Sequence, residues 1–211
     1  MEIISHRGYW TDHSQKNTSS AMIKSYNLGL GVETDVRDYA GDLYISHDPI
    51  NLVENLYTLS DFFNKYIEII NNKVPLALNI KADGISEKLN ALIKSYSVKN
   101  YFVFDMSVPE TLKYCKLGIP FYSRQSEYEP NPVFYSECEG VWLDAFEQIW
   151  YDESALNSHV NNGKKIAIVS QELHGREPYY HWDIIKGFSD AVKSHLILCT
   201  DYPVQALEYF N

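Results

Sequence analysis

Four short stretches of this chain carry residue types able to do chemistry: Ser5-His6-Arg7-Gly8, Glu33-Thr34-Asp35, His47-Asp48-Pro49 and Asn79-Ile80-Lys81. Glu33 and Asp35 stand two apart in a strand-like run, so both carboxylates point to one face of a sheet. Carboxylates held together repel, and they are costly to desolvate unless positive charge compensates them. His6, Arg7, His47 and Lys81 supply basic groups, and a divalent cation could supply the rest. Carboxylate oxygens suit Mg²⁺ or Ca²⁺ better than a softer ion. Two histidines flanking such a cation suit phosphoryl transfer. One takes a proton from the attacking oxygen while the other gives one to the leaving oxygen. The cation and Arg7 or Lys81 would hold the phosphate oxygens as charge redistributes. Taken singly, each feature has a plainer account: a lone histidine is ordinarily a hydrogen-bonded structural residue, and Glu33 with Asp35 could be an exposed strand face. Together they argue for a site.

Chemistry of this kind needs elements that bring the four stretches together. Short apolar or β-branched runs recur along the chain, most of them followed by a helix-like segment. Residues 2–5 lead to a helix near 17–28, and the strand 31–36 continues into 38–45, with Ala40-Gly41-Asp42 as a turn between extended pieces. Residues 58–61 open a helix running to about 70, with Ser60 expected at its N-cap. Strands at 75–80 and 101–104 precede helices near 85–95 and 108–116. Further strands fall at 120–122, 140–143, 165–169 and 196–199. A helix over 153–162 stops at Gly163, and the last, 203–210, has Pro203 at its first position. Eight main strands alternating with helices predict an α/β fold with a parallel sheet closed into a compact (β/α)8 TIM barrel. A doubly wound open sheet is the competing architecture. Residues 127–139, with Pro130 and Pro132, are expected to replace the fifth helix by loop. Neither linker nor repeat interrupts residues 1–211, which read as one barrel domain. In such a barrel the carboxyl ends of the strands carry the active site, and all four stretches fall there.

Composition narrows the partners. With 28 acidic against 18 basic residues the net charge is −10, so general electrostatic attraction to nucleic acid or anionic lipid is excluded. An anionic substrate would need locally concentrated positive charge. Cys115, Cys138 and Cys199 are odd in number and far apart, fitting neither a zinc spacing nor a disulfide framework. Residues 1–5 enter a strand-like run without the basic and apolar segments of a signal peptide. Apolar runs of about five residues fall far short of a membrane span. The expectation is a cytoplasmic protein with reduced thiols and a small-molecule substrate. It includes no nucleic-acid partner and no stable membrane association, and leaves the oligomeric state open.

The motifs also match a family. His6-Arg7-Gly8, Asn17-Thr18 with Ala21, Gly31-Val32-Glu33-Thr34-Asp35-Val36 and His47-Asp48 together resemble the N-terminal signature of glycerophosphodiester phosphodiesterases. Asn79-Ile80-Lys81 looks like the third-strand motif of that family, and Thr200-Asp201-Tyr202-Pro203 resembles its closing threonine-aspartate-x-proline. The resemblance implies a TIM barrel and a divalent cation, Mg²⁺ or Ca²⁺, held by Glu33, Asp35 and the residue at position 79. It implies His6 and His47 as the acid/base pair, with Arg7 and Lys81 on the phosphate. It also implies attack by a neighbouring glycerol hydroxyl to give a cyclic phosphate, then opened by water. This chain departs from the pattern at Asn79, where the family carries a metal-binding glutamate. An amide oxygen can coordinate the same ions but adds no charge, so affinity should fall. Asp83, Glu127 or Asp144 are candidates to compensate. Lys16 stands where the family has a glutamate before asparagine-threonine, a change bearing on helix entry.

Two later segments, Ser123-Arg124-Gln125-Ser126-Glu127 and Ser170-Gln171-Glu172-Leu173-His174-Gly175-Arg176, are richer than that pattern requires. They are either surface loops with ordinary ion pairs or a source of substrate contacts through Arg124 and Arg176, whose guanidinium forks suit phosphate or carboxylate. The leading expectation is a metal-dependent phosphodiesterase acting on a glycerophosphodiester or related phospho-sugar diester. The alternatives are a cyclising phospholipase-like lyase and a weakened barrel that only binds a phosphorylated ligand.

Overall fold

Parallel strands separated by helices run through the computed structural model, which describes residues 1–51 and 56–211. The strands are β1 (Glu2–His6), β2 (Gly31–Tyr39), β3 (Asp42–Ile45), β4 (Leu76–Ile80), β5 (Tyr101–Phe104), β6 (Tyr122–Gln125), β7 (Gly140–Leu143), β8 (Lys165–Val169) and β9 (Leu196–Thr200). The helices are α1 (Ser19–Asn27), α2 (Leu59–Ile69), α3 (Ser86–Ser95), α4 (Val108–Leu117), α5 (Glu153–Asn161), α6 (Tyr179–Gly187), α7 (Asp190–Lys193) and α8 (Pro203–Phe210). The sheet runs β5-β4-β2-β1-β9-β8-β7-β6, with β3 added antiparallel to β2. This is the strand order of a (β/α)8 barrel, as the alternation in the sequence predicts.

The chain divides into two compact units, Ser5–Pro120 and Met1–Ile4 with Phe121–Asn211. In the first, β2 pairs with β4 in a register that sets Glu33 beside Ala77 and Asp35 beside Asn79, and β4 pairs with β5. Fully buried Val32, Leu76, Leu78, Phe62, Phe63 and Tyr66 fill its core. Near-continuous apolar strands such as Leu76–Ile80 are what a sheet covered on both faces requires. β2 and β3 form a two-residue hairpin closed by Ala40 and Gly41, whose φ values are 48° and 85°. Positive φ at both central residues is the type I′ requirement, which matches the twist of the arms. Helix α2 is capped by Thr58, not Ser60. The Thr58 hydroxyl accepts from the Asp61 amide at 3.0 Å and donates to the Asp61 carboxylate at 2.7 Å, and Ser60 already lies inside the helix.

In the second unit β6, β7, β8 and β9 pair in parallel. Val141, Leu143, Ile166, Ile168 and Leu198 pack against Trp182 and Ile185 of α6. The strand expected at 120–122 is displaced: β6 spans Tyr122–Gln125, so Arg124 and Gln125 lie within a strand and not in the loop after it. Its pairing with Gly140–Leu143 holds a polar sequence extended despite the absence of an apolar run. Between β6 and β7 there is no helix among the described residues, as the prolines indicate. No helix among them is long and apolar enough to cross a membrane. Of the three cysteines, Cys138 and Cys199 are buried and Cys115 is partly exposed.

Candidate active site

Ser5–Pro120 contains the site that the first four stretches outline. Arg7 follows β1 with φ 59°, and Gly8 follows it with φ 85°. A Cβ on Gly8 would lie 2.8 Å from the Ala21 carbonyl carbon and Cβ, so only glycine lets this turn rest on α1. The turn is anchored by Arg7 N–H to Glu33 O at 2.9 Å and Tyr9 N–H to Ala21 O at 3.0 Å. Arg7 is thereby set above the carboxyl half of β2.

From there the Arg7 Nε lies 2.9 Å from Asp35 Oδ2, and the Lys81 Nζ lies 3.5 Å from Asp35 Oδ1. The His6 Nε2 is 3.8 Å from Glu33 Oε2. Glu33 and Asp35 are 1% and 0% exposed, so they are not an exposed strand face. Burial and the neighbouring Asp35 charge push the Glu33 carboxyl well above the usual range, while Arg7, Lys81 and a hydrogen bond from Asn79 oppose that rise. Six residues named from sequence, His6, Arg7, Glu33, Asp35, Asn79 and Lys81, are thus brought together.

His47 reaches the same strand ends by its backbone. Ser46 N–H donates to Asp35 O at 3.1 Å, and Arg37 donates to His47 O at 3.0 Å. The ring is half exposed, with Nδ1 2.8 Å from Asp48 Oδ1. A carboxylate on Nδ1 favours the tautomer that leaves Nε2 to exchange a proton.

One residue that organises this site was present in the motif but carried no assigned role. Asn17, at φ 61°, donates from Nδ2 to Asp35 Oδ2 at 2.8 Å and accepts at Oδ1 from the Thr34 hydroxyl at 2.9 Å. Its signal in the sequence is an asparagine just before the N-cap Thr18, a position suited to a left-handed backbone.

Glu33 Oε2, Asp35 Oδ1 and Asn79 Oδ1 are buried and accept no hydrogen bond. Buried oxygens that accept no hydrogen bond, from neighbouring strand positions, are the kind of donor set a hard cation takes. No three His, Cys, Asp or Glu side chains gather into a ligand set among the described residues, so the third oxygen here is the Asn79 amide. Because Arg7 and Lys81 already oppose both carboxylates, these residues fit a cation held weakly. The other acids considered are engaged elsewhere. Asp83 accepts from the Ser107 hydroxyl, Glu127 from the Phe146 and Glu147 amides, and Asp144 from His174 and the Ala145 amide.

Arg124 and Arg176 belong to the other unit. Arg124 pairs with Glu129 at 2.5 Å and lies 6.0 Å from the Phe146 ring centroid. Arg176 donates to Gln171 Oε1 and Phe146 O, both at 2.6 Å, and to Ala145 O.

No protein-family model matches this chain, and no curated protein matches it. Solved structures do. A glycerophosphodiester phosphodiesterase from Parabacteroides distasonis is 17% identical, with a TM-score of 0.64 over 99% of this chain and 96% of that one. Another from Agrobacterium tumefaciens is 16% identical, with a TM-score of 0.65 over 100% and 98%. An Oleispira antarctica phosphodiesterase, solved with its product sn-glycerol-3-phosphate, is 17% identical, with a TM-score of 0.67 over 99% and 96%. At these identities the likeness establishes the barrel fold.

Proposed function

We propose that this protein is a divalent-cation-assisted phosphodiesterase acting on a small glycerophosphodiester or related phospho-sugar diester. The observation that carries the reading is the set of buried oxygens that accept no hydrogen bond, Glu33 Oε2, Asp35 Oδ1 and Asn79 Oδ1, beside the Arg7 and Lys81 cations. The likeness to phosphodiesterase structures, one of them with sn-glycerol-3-phosphate, supports the same substrate class.

Glu33, Asp35 and Asn79 would hold the cation, which when bound polarises a phosphoryl oxygen and offsets its charge. Arg7 and Lys81 bind the remaining phosphate oxygens and stabilise the charge that builds on them. One of the two histidines, His6 or His47, takes the proton of the attacking hydroxyl as its oxygen bonds to phosphorus. The bond from phosphorus to the leaving oxygen breaks, and the other histidine protonates the departing alcohol; where a hydroxyl of the substrate attacked, water then opens the cyclic phosphate with the two histidines in exchanged roles. Asp48 holds the His47 ring for this exchange, and Asn17 holds Asp35 in place.

The test is hydrolysis of bis(p-nitrophenyl) phosphate and of glycerophosphodiesters with EDTA, Mg²⁺, Ca²⁺ or Mn²⁺. Turnover should need an added divalent ion, and His6→Ala and His47→Ala should each lower it by about 10²-fold or more. Asn79→Glu should tighten the cation by restoring a third carboxylate. Phosphate-ester binding without turnover under any ion would instead identify a binding barrel.

A further inference from the structure

Arg176 is unused by that reaction, yet it is part of a built feature within Phe121–Asn211. A cleft of about 580 Å³ lies between the segment that follows β7 and helix α6. Small-ligand sites occupy roughly 300–1,000 Å³. Arg176 lines it, and each of the three acceptors of its guanidinium, Gln171 Oε1, Phe146 O and Ala145 O, is uncharged. Five N–H donors are available to a guanidinium, so this charge is left with donors to offer.

Two other polar groups lining the cleft are unsatisfied. Gln171 is 3% exposed and His181 0%, and neither Gln171 Nε2 nor His181 Nδ1 has a hydrogen-bond partner. The Tyr151 hydroxyl meets His181 Nε2 at 2.7 Å. Burial and the Arg176 charge hold His181 down to about 4, so its ring is neutral at neutral pH. A neutral ring that accepts from the tyrosine carries its proton on Nδ1. Arg176 and Gln171 Nε2 therefore give this wall donors and a positive charge, to which His181 Nδ1 adds a donor in the tautomer that accepts from Tyr151.

The outer edge has the opposite character. Glu147 and Glu177 are exposed carboxylates, and the Tyr180 ring beside them is 70% exposed. Apolar side chains, Ile149, Ile184 and Phe188, line the space as well. A plain anion would meet the acidic edge, and a plain cation would meet Arg176. A molecule with both charges satisfies each.

We propose that this cleft is a second binding site that takes a small zwitterion. Its oxyanion, a carboxylate or a phosphate, is held by Arg176, Gln171 and His181, and its ammonium sits at Glu147 and Glu177 against the face of Tyr180.

Titration calorimetry on the full chain tests this with two pairs of probes. Phosphocholine and phosphoethanolamine represent the phosphate source, and glycine betaine and phenylalanine the carboxylate source. Inorganic phosphate, acetate and choline serve as half-ligands. At least one zwitterion should bind about tenfold or more tighter than its halves. Tyr180→Ala should weaken it about threefold, and Glu177→Gln, which keeps one oxygen to accept the Tyr179 amide, should also weaken it. Arg176→Gln should abolish binding, with circular dichroism reporting whether the fold is kept. The proposal is overturned if no zwitterion outbinds its halves. It is equally overturned if binding survives Tyr180→Ala and Glu177→Gln but is lost in Lys81→Met, which would place the ligand in the candidate active site.

Discussion

Asn17 shows how much a single uncharged side chain can govern. It satisfies one oxygen of fully buried Asp35 and the hydroxyl of Thr34 while its own backbone stays left-handed. Losing it leaves a buried carboxylate oxygen facing only Arg7, and unpaired buried groups cost about 1–3 kcal/mol each. Asn17→Ala should therefore destabilise the protein by roughly 2–4 kcal/mol in urea unfolding, including the strain of a left-handed alanine. Asn17→Gly should recover only the backbone part. Both variants should lose diester hydrolysis in step, because Asp35 loses its orientation. An unchanged turnover would mean that Arg7 alone positions Asp35. The residues of the site were legible in the sequence because histidine, carboxylate and lysine carry their chemistry in their type. Asn17 was less so. Its role depends on a hydrogen bond across 18 positions, which spacing does not encode.

At the scale of elements, the turn after β1 is the least replaceable piece. Gly8→Ala combines a positive φ with an overlap against backbone atoms of α1. The two penalties together amount to about 3 kcal/mol, a fall in Tm on the order of 10 °C by differential scanning calorimetry. A small loss would show that α1 can move away. Most strands were readable because Leu76–Ile80 and Leu196–Thr200 are buried along their whole length and therefore apolar except at Asn79 and Thr200, near their carboxyl ends. β6 was misplaced for the converse reason: Tyr-Ser-Arg-Gln is held extended by its neighbour's backbone, a non-local cause. Helices α6 and α7 were not anticipated between β8 and β9. Tyr179–Gly187 is crowded with aromatic and polar residues, and its buried stripe is only His181, Trp182 and Ile185. The Thr58 cap was missed for Ser60, two residues later, because both types suit the position and only the reciprocal contact with Asp61 separates them.

The molecule as a whole should be acid-sensitive through a buried group whose ring is held neutral by burial and the Arg176 charge. His181 is buried beside Tyr151 and titrates at about 4 in the folded chain. An unfolded histidine titrates near 6.5, so between these values the unfolded chain binds the extra proton and is favoured. Stability should be intact above about pH 6.5 and fall as the pH drops towards 4, by up to about 3 kcal/mol from this residue. Urea unfolding at pH 7 and pH 4.5 measures the drop, and His181→Phe should flatten it. An equally steep acid limb in that variant would assign the sensitivity to the carboxylates.

The hairpin of β2 and β3 carries Asp35 on one arm and leads into His47 at the end of the other. Its two-residue turn is thus a gauge block. A residue inserted at Ala40-Gly41 would slide one arm by about 3.4 Å and reverse which faces its side chains take. Both arms would stay strands, but the His47 ring and the Asp35 carboxylate would lose their shared register. Turn length, set at the exposed far end of the hairpin, acts as a dial on that register that can be moved without touching any polar residue of the candidate site.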